Sequence, residues 1–214
     1  MTTPRITVCV PIYGRPQRTC RLIDCLRKQT ITNFQVYLIG DGCPQWQSML
    51  DDENNFIQDI IKEEEEKGNE WIAINLTENH GGYGFHIRNL MKELADGKYL
   101  CFIDNDDVVR MNHLELYLSE IENTDLDFVY YNVWNNALGL LRDAQLSAGL
   151  IGHAELCIRT EFYKTIPEQG GHYGHDWGMI EHMKGASSKH KKASTQEWTY
   201  KVMGTPAKRE TDIN

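Results

Sequence analysis

The sequence predicts an α/β fold in which strands and helices alternate along the first half of the chain. Short runs rich in β-branched residues recur between segments whose apolar residues have helical spacing. The chain has 214 residues, enough for one domain with a sizeable core, and one domain is favoured over two small ones. The apolar run 99–103 passes directly into four polar residues, Asp104, Asn105, Asp106 and Asp107. Ligands of open α/β sheets bind at the carboxyl ends of strands, so we expect a site there.

The first two predicted strands and the helix between them form a βαβ unit. Residues 6–11 are a β-branched run that ends at a turn containing proline and glycine, and residues 34–39 are a second run that ends at Gly40-Asp41-Gly42. Between them, residues 19–28 have the apolar spacing of one helical face. The crossover of such a unit is expected to be right-handed, so both strands end at the same edge of the sheet.

The remaining elements are predicted from the same patterns, which weaken after residue 135. The acidic end of the first long helical segment is typical of a solvated helical face, and the basic cluster at 189–192 is interpreted as a mobile surface loop. Helices are predicted at 44–67, 85–95, 113–121, 161–166 and 176–183, a glycine-rich turn at 81–84, and strands at 71–76, 99–103, 126–133, 154–159 and 198–203.

Composition excludes some classes of function. The formal net charge is -9, which argues against a nucleic-acid-binding surface because phosphate backbones are held by clustered Lys and Arg. The first residues lead straight into a strand, without the pattern of a signal peptide, and no apolar run approaches the length of a transmembrane segment. The 6 cysteines include no C-x-x-C pair, and Cys9 and Cys101 lie in predicted core strands. Such cysteines are typical of reduced proteins, so we expect a soluble, cytoplasmic protein.

The acidic cluster after the fourth strand allows two interpretations. Neighbouring carboxylates repel one another, and proteins tolerate such clusters where a cation neutralises them. Oxygen ligands favour Mg²⁺ or Mn²⁺, which also bind phosphates. Alternatively, the cluster is a turn that caps the following helix, because Asp and Asn are good N-cap residues. Considered alone, this stretch leaves both interpretations open.

Five segments in order resemble glycosyltransferases of family 2 with the GT-A fold. They read V-C-V-P-I-Y-G-R, L-I-G-D-G-C, E-N-H-G-G-Y-G-F-H-I-R-N-L, Y-L-C-F-I-D-N-D-D and G-H-D-W. Each motif alone is weak, but their order and spacing over residues 6–183 are specific. The resemblance implies a single Rossmann-like GT-A domain over 1–214, with a mixed, mostly parallel central sheet flanked by helices. Residues 1–107 would bind the nucleotide sugar and residues 108–214 the acceptor.

The resemblance also implies which residues hold the donor nucleotide. A carboxylate at Asp41 can accept from the N–H of uracil, and Tyr13 can stack on the base. For Asp41 the alternative is a turn-forming role, and for Arg15 it is a solvated loop cation. Arg88 follows an insert that is longer and more aromatic than the family pattern, so it either reaches the nucleotide or pairs with an acid such as Asp104. The implied nucleotide-binding residues are Pro11, Tyr13, Arg15, Asp41, Arg88, Asp104 and Asn105.

The D-x-D signature of the family maps onto Asp104-Asn105-Asp106. The resemblance implies that Asp104 binds on the ribose side and that Asp106 binds Mn²⁺ or Mg²⁺, which would bridge the two phosphates. Asp107 would cap the following turn. A haloacid-dehalogenase-type phosphatase also carries D-x-D after an apolar strand, with the first Asp as nucleophile. Here the motif follows the fourth strand rather than the first, so this alternative ranks lower.

The family places an acidic pair at the start of a helix that faces the acceptor. In this sequence His175 replaces the first acid, and Asp176 matches the general base of inverting members. An N-cap role suits Asp176 as well. Trp177 is either a sugar platform or a core residue, and a zinc site is the weaker interpretation of the nearby histidines. The residues named as sugar, acceptor or extra metal contacts are His153, His172, His175 and Trp177.

The function implied by the resemblance is metal-dependent, inverting transfer of one hexose from a nucleotide diphosphate donor. A UDP-sugar is the favoured donor, and a glycan or glycoprotein hydroxyl is the acceptor. The chain lacks the Q-x-x-R-W motif and the membrane helices of processive synthases, so transfer should be non-processive. Its compact size resembles capsid glycosyltransferases encoded by alga-infecting viruses, which would act in the host cytoplasm. The alternative from another class is a catalytically inactive module that binds nucleotide sugar or glycan.

Overall fold

A computed structural model describes residues 3–54, 56–168, 170, 174–195 and 197–203. Within these residues, strands form a 7-stranded central sheet and a smaller 4-stranded sheet. The strands are β1 (Ile6–Ile12), β2 (Gln35–Gly40), β3 (Glu70–Asn75), β4 (Tyr99–Phe102), β5 (Val108–Val109), β6 (Phe128–Tyr130), β7 (Val133–Asn135), β8 (Leu140–Arg142), β9 (Leu156–Arg159), β10 (His190–Lys192) and β11 (Tyr200–Val202).

The central sheet is mixed and mostly parallel, as predicted. Its strand order is β10-β6-β9-β4-β1-β2-β3. β1 pairs in parallel with β2 and β4, and β2 pairs in parallel with β3. β9 is the exception, because it runs antiparallel to both β4 and β6. The smaller sheet has the order β5-β11-β7-β8 and is built from the second half of the chain.

Helices and short 3₁₀ turns connect the strands. The first helix begins at a proline, whose missing N–H costs nothing in the first turn. The α-helices are α1 (Pro16–Arg27), α2 (Pro44–Leu50), α3 (Phe56–Glu66), α4 (Phe85–Leu94), α5 (His113–Ile121), α6 (Thr160–Thr165) and α7 (His175–Ala186), and the 3₁₀ turns are Gly82–Gly84 and His153–Glu155.

The core has two apolar layers, one on each face of the central sheet. Successive residues of β1 point to opposite faces, and both faces are buried, as expected for a central strand of a parallel sheet. Val8 belongs to one cluster, which includes Leu22 of α1 and Leu118 of α5. Cys9 belongs to the other, which includes Ile87 of α4 and Met179 of α7. The sheet is therefore covered by helices on both sides.

Three predicted elements differ in the structure. The helical stretch 44–67 is two helices, since α2 ends at Leu50 and α3 begins at Phe56. The predicted strand 126–133 is divided between β6 in the central sheet and β7 in the small one. The basic cluster, interpreted as a loop, forms the edge strand β10, where His190 stacks on Phe128 at 4.8 Å between ring centroids. Pairing with distant strands overrides the local polarity of this segment.

The topology brings several loops to one edge of the central sheet. β1, β2 and β4 are parallel, so the residues that follow them lie together at their carboxyl ends. β9 runs the opposite way beside β4, so the His153–Glu155 turn that precedes it lies at the same edge. The 6 cysteines are free. In the described parts of the chain, no helix combines the length and apolarity needed to cross a membrane.

Candidate active site

A cavity of about 670 Å³ opens at this edge of the sheet. The loops after β1, β2 and β4, the glycine-rich turn before α4 and the start of α7 form its walls. The structure thus brings together residues that are up to 165 positions apart in the chain. The predicted donor, metal and base residues that line the cavity are Pro11, Tyr13, Arg15, Asp41, Arg88, Asp104, Asn105, Asp106 and Asp176.

Asp41 is buried at the end of β2 and holds the glycine-rich segment in place. Its carboxylate accepts hydrogen bonds from the backbone N–H groups of His80 and Gly81, each at 2.9 Å. The side-chain amide of Asn79 donates to the Asp41 carbonyl at 2.8 Å. Asp41 is therefore more than a turn-former, because it ties the loop after β2 to the loop after β3. The uracil contact implied for Asp41 stays a prediction.

Two exposed tyrosines stand at the rim of the cavity. Tyr13 follows β1, as predicted, and Tyr83 lies in the 3₁₀ turn before α4. Tyr83 has a positive φ of 58°, a conformation that costs free energy for a residue with a side chain. The sequence analysis did not assign Tyr83 to the site. The signal was the unusually aromatic insert between Gly82 and His86.

Arg88 is a buried cation at the centre of the cavity wall. Its Nη2 lies 2.5 Å from Oδ1 of Asp104, and its Nη1 donates to the Tyr83 carbonyl at 2.5 Å. Burial lowers the pKa of Arg88, but the carboxylates of Asp104 and Asp176 raise it, so that its pKa lies above the usual value. Of the two alternatives for Arg88, the structure shows pairing with Asp104. Direct contact with the nucleotide stays a prediction.

Asp106 contacts two arginines at the start of α1. Its Oδ2 lies 2.5 Å from Nη1 of Arg15 and 3.4 Å from Nη1 of Arg18. A third arginine, Arg21, donates to the Asp106 carbonyl at 3.0 Å. Burial raises the pKa of Asp106 above its usual value, although Arg15 and Arg18 act in the opposite direction. Sequence reasoning missed Arg18 and Arg21, whose spacing of three from Arg15 predicts one helical face.

Asn105 and Asp107 have structural partners. The Asn105 amide donates to the Gly14 carbonyl and to Oγ1 of Thr19, which ties the loop after β4 to the loop after β1. Asp107 was expected to cap the following turn. Instead its carboxylate accepts from the Tyr200 hydroxyl and from the backbone N–H of Met203, each at 2.8 Å, which anchors the small sheet. Burial raises the pKa of Asp107 to about 8.

The acids after β4 match the ligand chemistry of Mg²⁺ or Mn²⁺ in type and number. Among the described residues, no group of three or more His, Cys, Asp or Glu forms a metal site by itself. Mg²⁺ does not need one, because it typically takes one or two carboxylates and completes its shell with phosphates and water. The Asp104 side chain is 51% exposed and that of Asp106 is 13% exposed. The oxygen ligands fit an ion that binds together with a diphosphate, and such an ion would compete with Arg88 for Asp104 and with Arg15 and Arg18 for Asp106.

Asp176 is the second residue of α7, and His153 lies against it. His153 Nδ1 is 2.5 Å from Oδ1 of Asp176. The histidine is buried, whereas the Asp176 side chain is 38% exposed to the cavity. The N-cap role considered for Asp176 is wrong, because the helix begins one residue earlier and Gly174 takes the cap position with φ 84°. An acid in the first turn is still favoured by the helix dipole.

The other predicted contact residues are only partly described. His172 lies outside the described residues, and His175 is the first residue of α7, where only its backbone is described. Trp177 is half-buried and packs against the apolar layer that contains Met179. It also lines a second cavity of about 340 Å³, together with Arg142 and Gly152. Asp176 lines both cavities.

Comparison with known proteins agrees with this geometry. Residues 7–181 match the family model described as Glycosyl transferase family 2. The chain belongs to this family. The glycosyltransferase GlyG of Streptococcus pneumoniae is 27% identical over 130 residues, which cover 61% of this chain and 39% of GlyG. The amylovoran biosynthesis glycosyltransferase AmsB of Erwinia amylovora is 28% identical over 134 residues, which cover 60% of this chain and 41% of AmsB. The family 2 chain therefore spans about two fifths of the length of these relatives.

Solved structures confirm the GT-A fold expected for this family 2 chain. Residues 1–349 of S. aureus TarS, in complex with UDP-GlcNAc, superpose with a TM-score of 0.71 at 17% identity, covering 98% of this chain and 61% of that one. The mannosyltransferase PcManGT of Pyrobaculum calidifontis, in complex with GDP-Man and Mn²⁺, has a TM-score of 0.62 at 13% identity, covering 92% and 59%. Neither family nor fold supports the phosphatase interpretation of the acidic motif.

Proposed function

We propose that this family 2 chain transfers a sugar from a nucleotide diphosphate donor to an acceptor hydroxyl. One observation carries the proposal: the acids after β4, the loops after β1 and β2, and Asp176 line a single cavity. A UDP-sugar is the favoured donor. This choice is supported by the TarS complexes with UDP and UDP-GlcNAc, while the GDP-Man complex of PcManGT provides the main competitor for the assay.

The nucleoside would bind at the Tyr13 and Asp41 side of the cavity. Tyr13 is exposed at the rim and offers a face on which a base can stack. Asp41 accepts bonds from two backbone N–H groups, so its position is already fixed before a ligand binds. The Asn79 amide also donates to the carboxylate, at 3.2 Å. Because the two oxygens carry about four lone pairs, there is room for one further donor. Asp41 can therefore hold the loop and accept from a base N–H at the same time.

The diphosphate would bind near Arg15, Arg88 and the acids after β4. Aspartates outnumber arginines among the described lining residues, so an added diphosphate brings more negative charge to an acidic cavity. Such a ligand needs a compensating cation. Asp104 and Asp106 would hold Mn²⁺ or Mg²⁺, which would act as a Lewis acid on the departing diphosphate. Arg15 and Arg88 would bind the phosphate oxygens that the ion leaves free.

Asp176 would act as the general base. A sugar hydroxyl is a weak nucleophile at neutral pH, and a positioned carboxylate can accept its proton as the new bond to the sugar carbon forms. Asp176 borders both cavities, so an acceptor in the smaller cavity would meet a donor in the larger one at this residue. Direct attack by the acceptor inverts the configuration at that carbon. The N–H of an asparagine at this position cannot replace the base.

The family resemblance further implies that the enzyme transfers a hexose with inversion and acts non-processively on a glycan or glycoprotein in the cytoplasm. The free cysteines are compatible with that compartment. The capsid-glycan acceptor suggested by the compact size of the chain remains a prediction.

Thermal unfolding with a panel of donors tests the proposal. UDP, UDP-glucose, UDP-GlcNAc and GDP-mannose are each added with and without Mn²⁺, and release of the nucleotide diphosphate is then measured. A ligand at one hundred times its dissociation constant stabilises by about 2.7 kcal/mol, which is easily detected. We expect metal-dependent stabilisation by UDP and the UDP-sugars. Stabilisation by none of the four ligands would contradict donor binding.

Asp176→Asn tests the chemistry separately from binding. We expect turnover to fall by about 100-fold or more, the usual contribution of a general base, while stabilisation by UDP is kept. Glu181→Gln is the matched control, since it also converts a carboxylate to an amide on α7, at an exposed position. The control should keep full activity. Equal turnover in Asp176→Asn and the wild type would refute the assignment of the base.

A further inference from the structure

We propose that His153 is a positioning residue that holds the Asp176 carboxylate in the orientation needed to accept the acceptor proton. This inference rests on the proposed function and deepens it. The direct observation is the 2.5 Å separation between His153 Nδ1 and Asp176 Oδ1. The resemblance offered His153 only as a sugar, acceptor or metal contact. The geometry assigns it instead to the carboxylate.

The imidazole of His153 is fixed on the strand that carries the donor-binding acids. Its ring packs edge-on against Phe102, with 5.4 Å between centroids and an interplanar angle of 74°. Phe102 is the last residue of β4, and the acidic motif begins two residues later. His153 therefore links the base to the same rigid element that positions Asp104 and Asp106.

The turn that carries His153 is held by three hydrogen bonds to its backbone and one ion pair of its Glu155 side chain. Buried Glu155 accepts from the Gly152 N–H at 2.9 Å and forms an ion pair with Arg142. The Tyr117 hydroxyl donates to the Ala154 carbonyl at 2.8 Å, and the Tyr131 N–H donates to the Glu155 carbonyl at 2.9 Å. A turn anchored in this way can hold a side chain in one place. This is the property that a residue which orients a base must have.

The second oxygen of Asp176 lies against the same turn. A Cβ added at Gly152 would be only 2.9 Å from Asp176 Oδ2. The φ of Gly152 is -139°, an extended value that any residue can adopt, so an alanine there would act through this contact and not through backbone strain. One carboxylate oxygen thus lies next to the His153 ring, and the other lies where a side chain at Gly152 would reach.

In the proposed role, His153 donates a hydrogen bond to Asp176 and does not itself accept the substrate proton. Its Nδ1–H would donate to Oδ1, which lies 2.5 Å away, and would keep the carboxylate in its orientation. The acceptor O–H bond breaks as its proton moves to Asp176, the acceptor oxygen bonds to the sugar carbon, and the carbon–oxygen bond to the diphosphate breaks. The bonding electron pair leaves with the diphosphate. His153 keeps its proton throughout, as a hydrogen-bonding orienter of a catalytic group does.

The test compares two substitutions at His153 by nucleotide release from UDP-glucose, UDP-GlcNAc and GDP-mannose with Mn²⁺, where water is the acceptor and its proton passes to Asp176. His153→Phe keeps the ring but removes the donor, whereas His153→Asn keeps an amide donor near the position of Nδ1. We expect His153→Phe to lower kcat about 10- to 100-fold with the donor KM within about twofold, because only the base is misplaced. His153→Asn should recover most of the loss. Similar kcat in His153→Phe and the wild type would overturn the proposal.

A double variant distinguishes action through Asp176 from an independent effect. If His153 acts only through the carboxylate, adding His153→Phe to Asp176→Asn lowers kcat no further. A full additional loss would overturn the proposal. Where His153→Phe does not fold, Gly152→Ala displaces the same carboxylate, and we expect it to lower kcat with an unchanged donor KM. A Gly152→Ala variant with wild-type kcat would then refute the inference.

Proton NMR provides a readout that does not need turnover. A strongly hydrogen-bonded Nδ1–H gives a low-field proton resonance, which we expect in the wild type and not in His153→Phe or Asp176→Asn. Absence of that resonance from the wild type would overturn the inference. The proposed function fails on a different result: Asp176→Asn would turn over like the wild type. An inactive Asp176→Asn beside a fully active His153→Phe would refute the role of His153 alone.

Discussion

Replacing Arg88 by methionine tests the electrostatic organisation of the cavity. Methionine keeps the unbranched, apolar stem of the side chain and removes the cation that contacts Asp104 and the Tyr83 carbonyl. The Arg88 side chain is 7% exposed, and that of Asp104 is 51% exposed. The two partners therefore differ in exposure: the Arg88 guanidinium is almost fully buried, whereas the Asp104 carboxylate is partly hydrated.

The cost in stability follows from this inequality. Removing one partner of a fully buried ion pair costs about 3–5 kcal/mol, because the other charge is left without compensation. Asp104 can regain water, so most of that penalty disappears and the loss of two hydrogen bonds remains. We expect the free energy of unfolding to fall by about 2 kcal/mol. Urea unfolding at pH 7 measures it.

Arg88→Met should have opposite effects on the affinities for UDP and for Mn²⁺. Without Arg88, the cavity has less positive charge with which to bind a diphosphate. UDP in the absence of metal should therefore bind about tenfold more weakly, a loss of about 1.4 kcal/mol in binding free energy. Mn²⁺ alone should bind more tightly, because Asp104 no longer has a competing cation. Isothermal titration with UDP and with Mn²⁺ measures the two affinities.

A matched control separates the cavity from the fold. Arg5 makes a bidentate ion pair with Glu122, in which its Nε and Nη2 lie 3.0 and 2.7 Å from the two carboxylate oxygens. Arg5 does not line the cavity. Arg5→Met should lower stability by about 1 kcal/mol or less and leave both ligand affinities unchanged. If Arg88→Met lowered stability but left the UDP and Mn²⁺ affinities as they are in Arg5→Met, the electrostatic account of the cavity would be refuted.

Two further predictions concern the fold around the site. Burial lowers the pKa of His113 to about 3 from 6.5, so below pH 6.5 the unfolded chain binds a proton that the folded one does not, and stability falls. Between pH 7 and pH 5 we expect the wild type to lose about 2 kcal/mol relative to His113→Phe by urea unfolding. The comparison is with the variant because buried acids with a raised pKa, such as Asp107, act in the opposite direction in both proteins. The same pH dependence in the two proteins would contradict the assignment to His113. Gly84→Ala should lower the free energy of unfolding more than Gly14→Ala does. Both glycines have a positive φ, which costs an alanine about 1 kcal/mol. Only at Gly84 would the new Cβ also clash with Pro11, at 2.8 Å. Equal melting temperatures would contradict the steric argument.

The sequence predicted which loops lie around the cavity, because the residues concerned come at the ends of predicted strands. A β-branched run that ends in Gly-Asp-Gly, or an apolar run that ends in Asp-Asn-Asp, indicates both the strand and the edge at which its last residues lie. The position of Asp41 and Asp106 in the cavity could therefore be predicted from the local sequence pattern alone. The predicted order of elements also holds, apart from the helical stretch 44–67 that is two helices, the divided strand at 126–133, the edge strand β10, and the short strands β5 and β8, which were not predicted.

The partners of these residues could not be predicted in the same way. His153 precedes a short strand in a region of weak periodicity, and its contact with Asp176 depends on where α7 packs. Arg18 looks like any exposed helical cation until α1 is placed beside the loop after β4. Such contacts depend on the relative positions of elements far apart in the chain, which periodicity does not encode.

The antiparallel direction of β9 is what joins the two halves of the chain into one site. β4 ends at the acidic motif, and β9 lies beside it in the opposite direction, so β9 begins where β4 ends. A parallel strand in this place would put its first residue at the far edge of the sheet, and His153 would lie a full strand length away from Asp104. Because β9 is reversed, the turn that contacts Asp176 and the motif proposed to bind the ion share one edge. The antiparallel strand β9 therefore brings the second half of the chain to the cavity lined by the acidic motif.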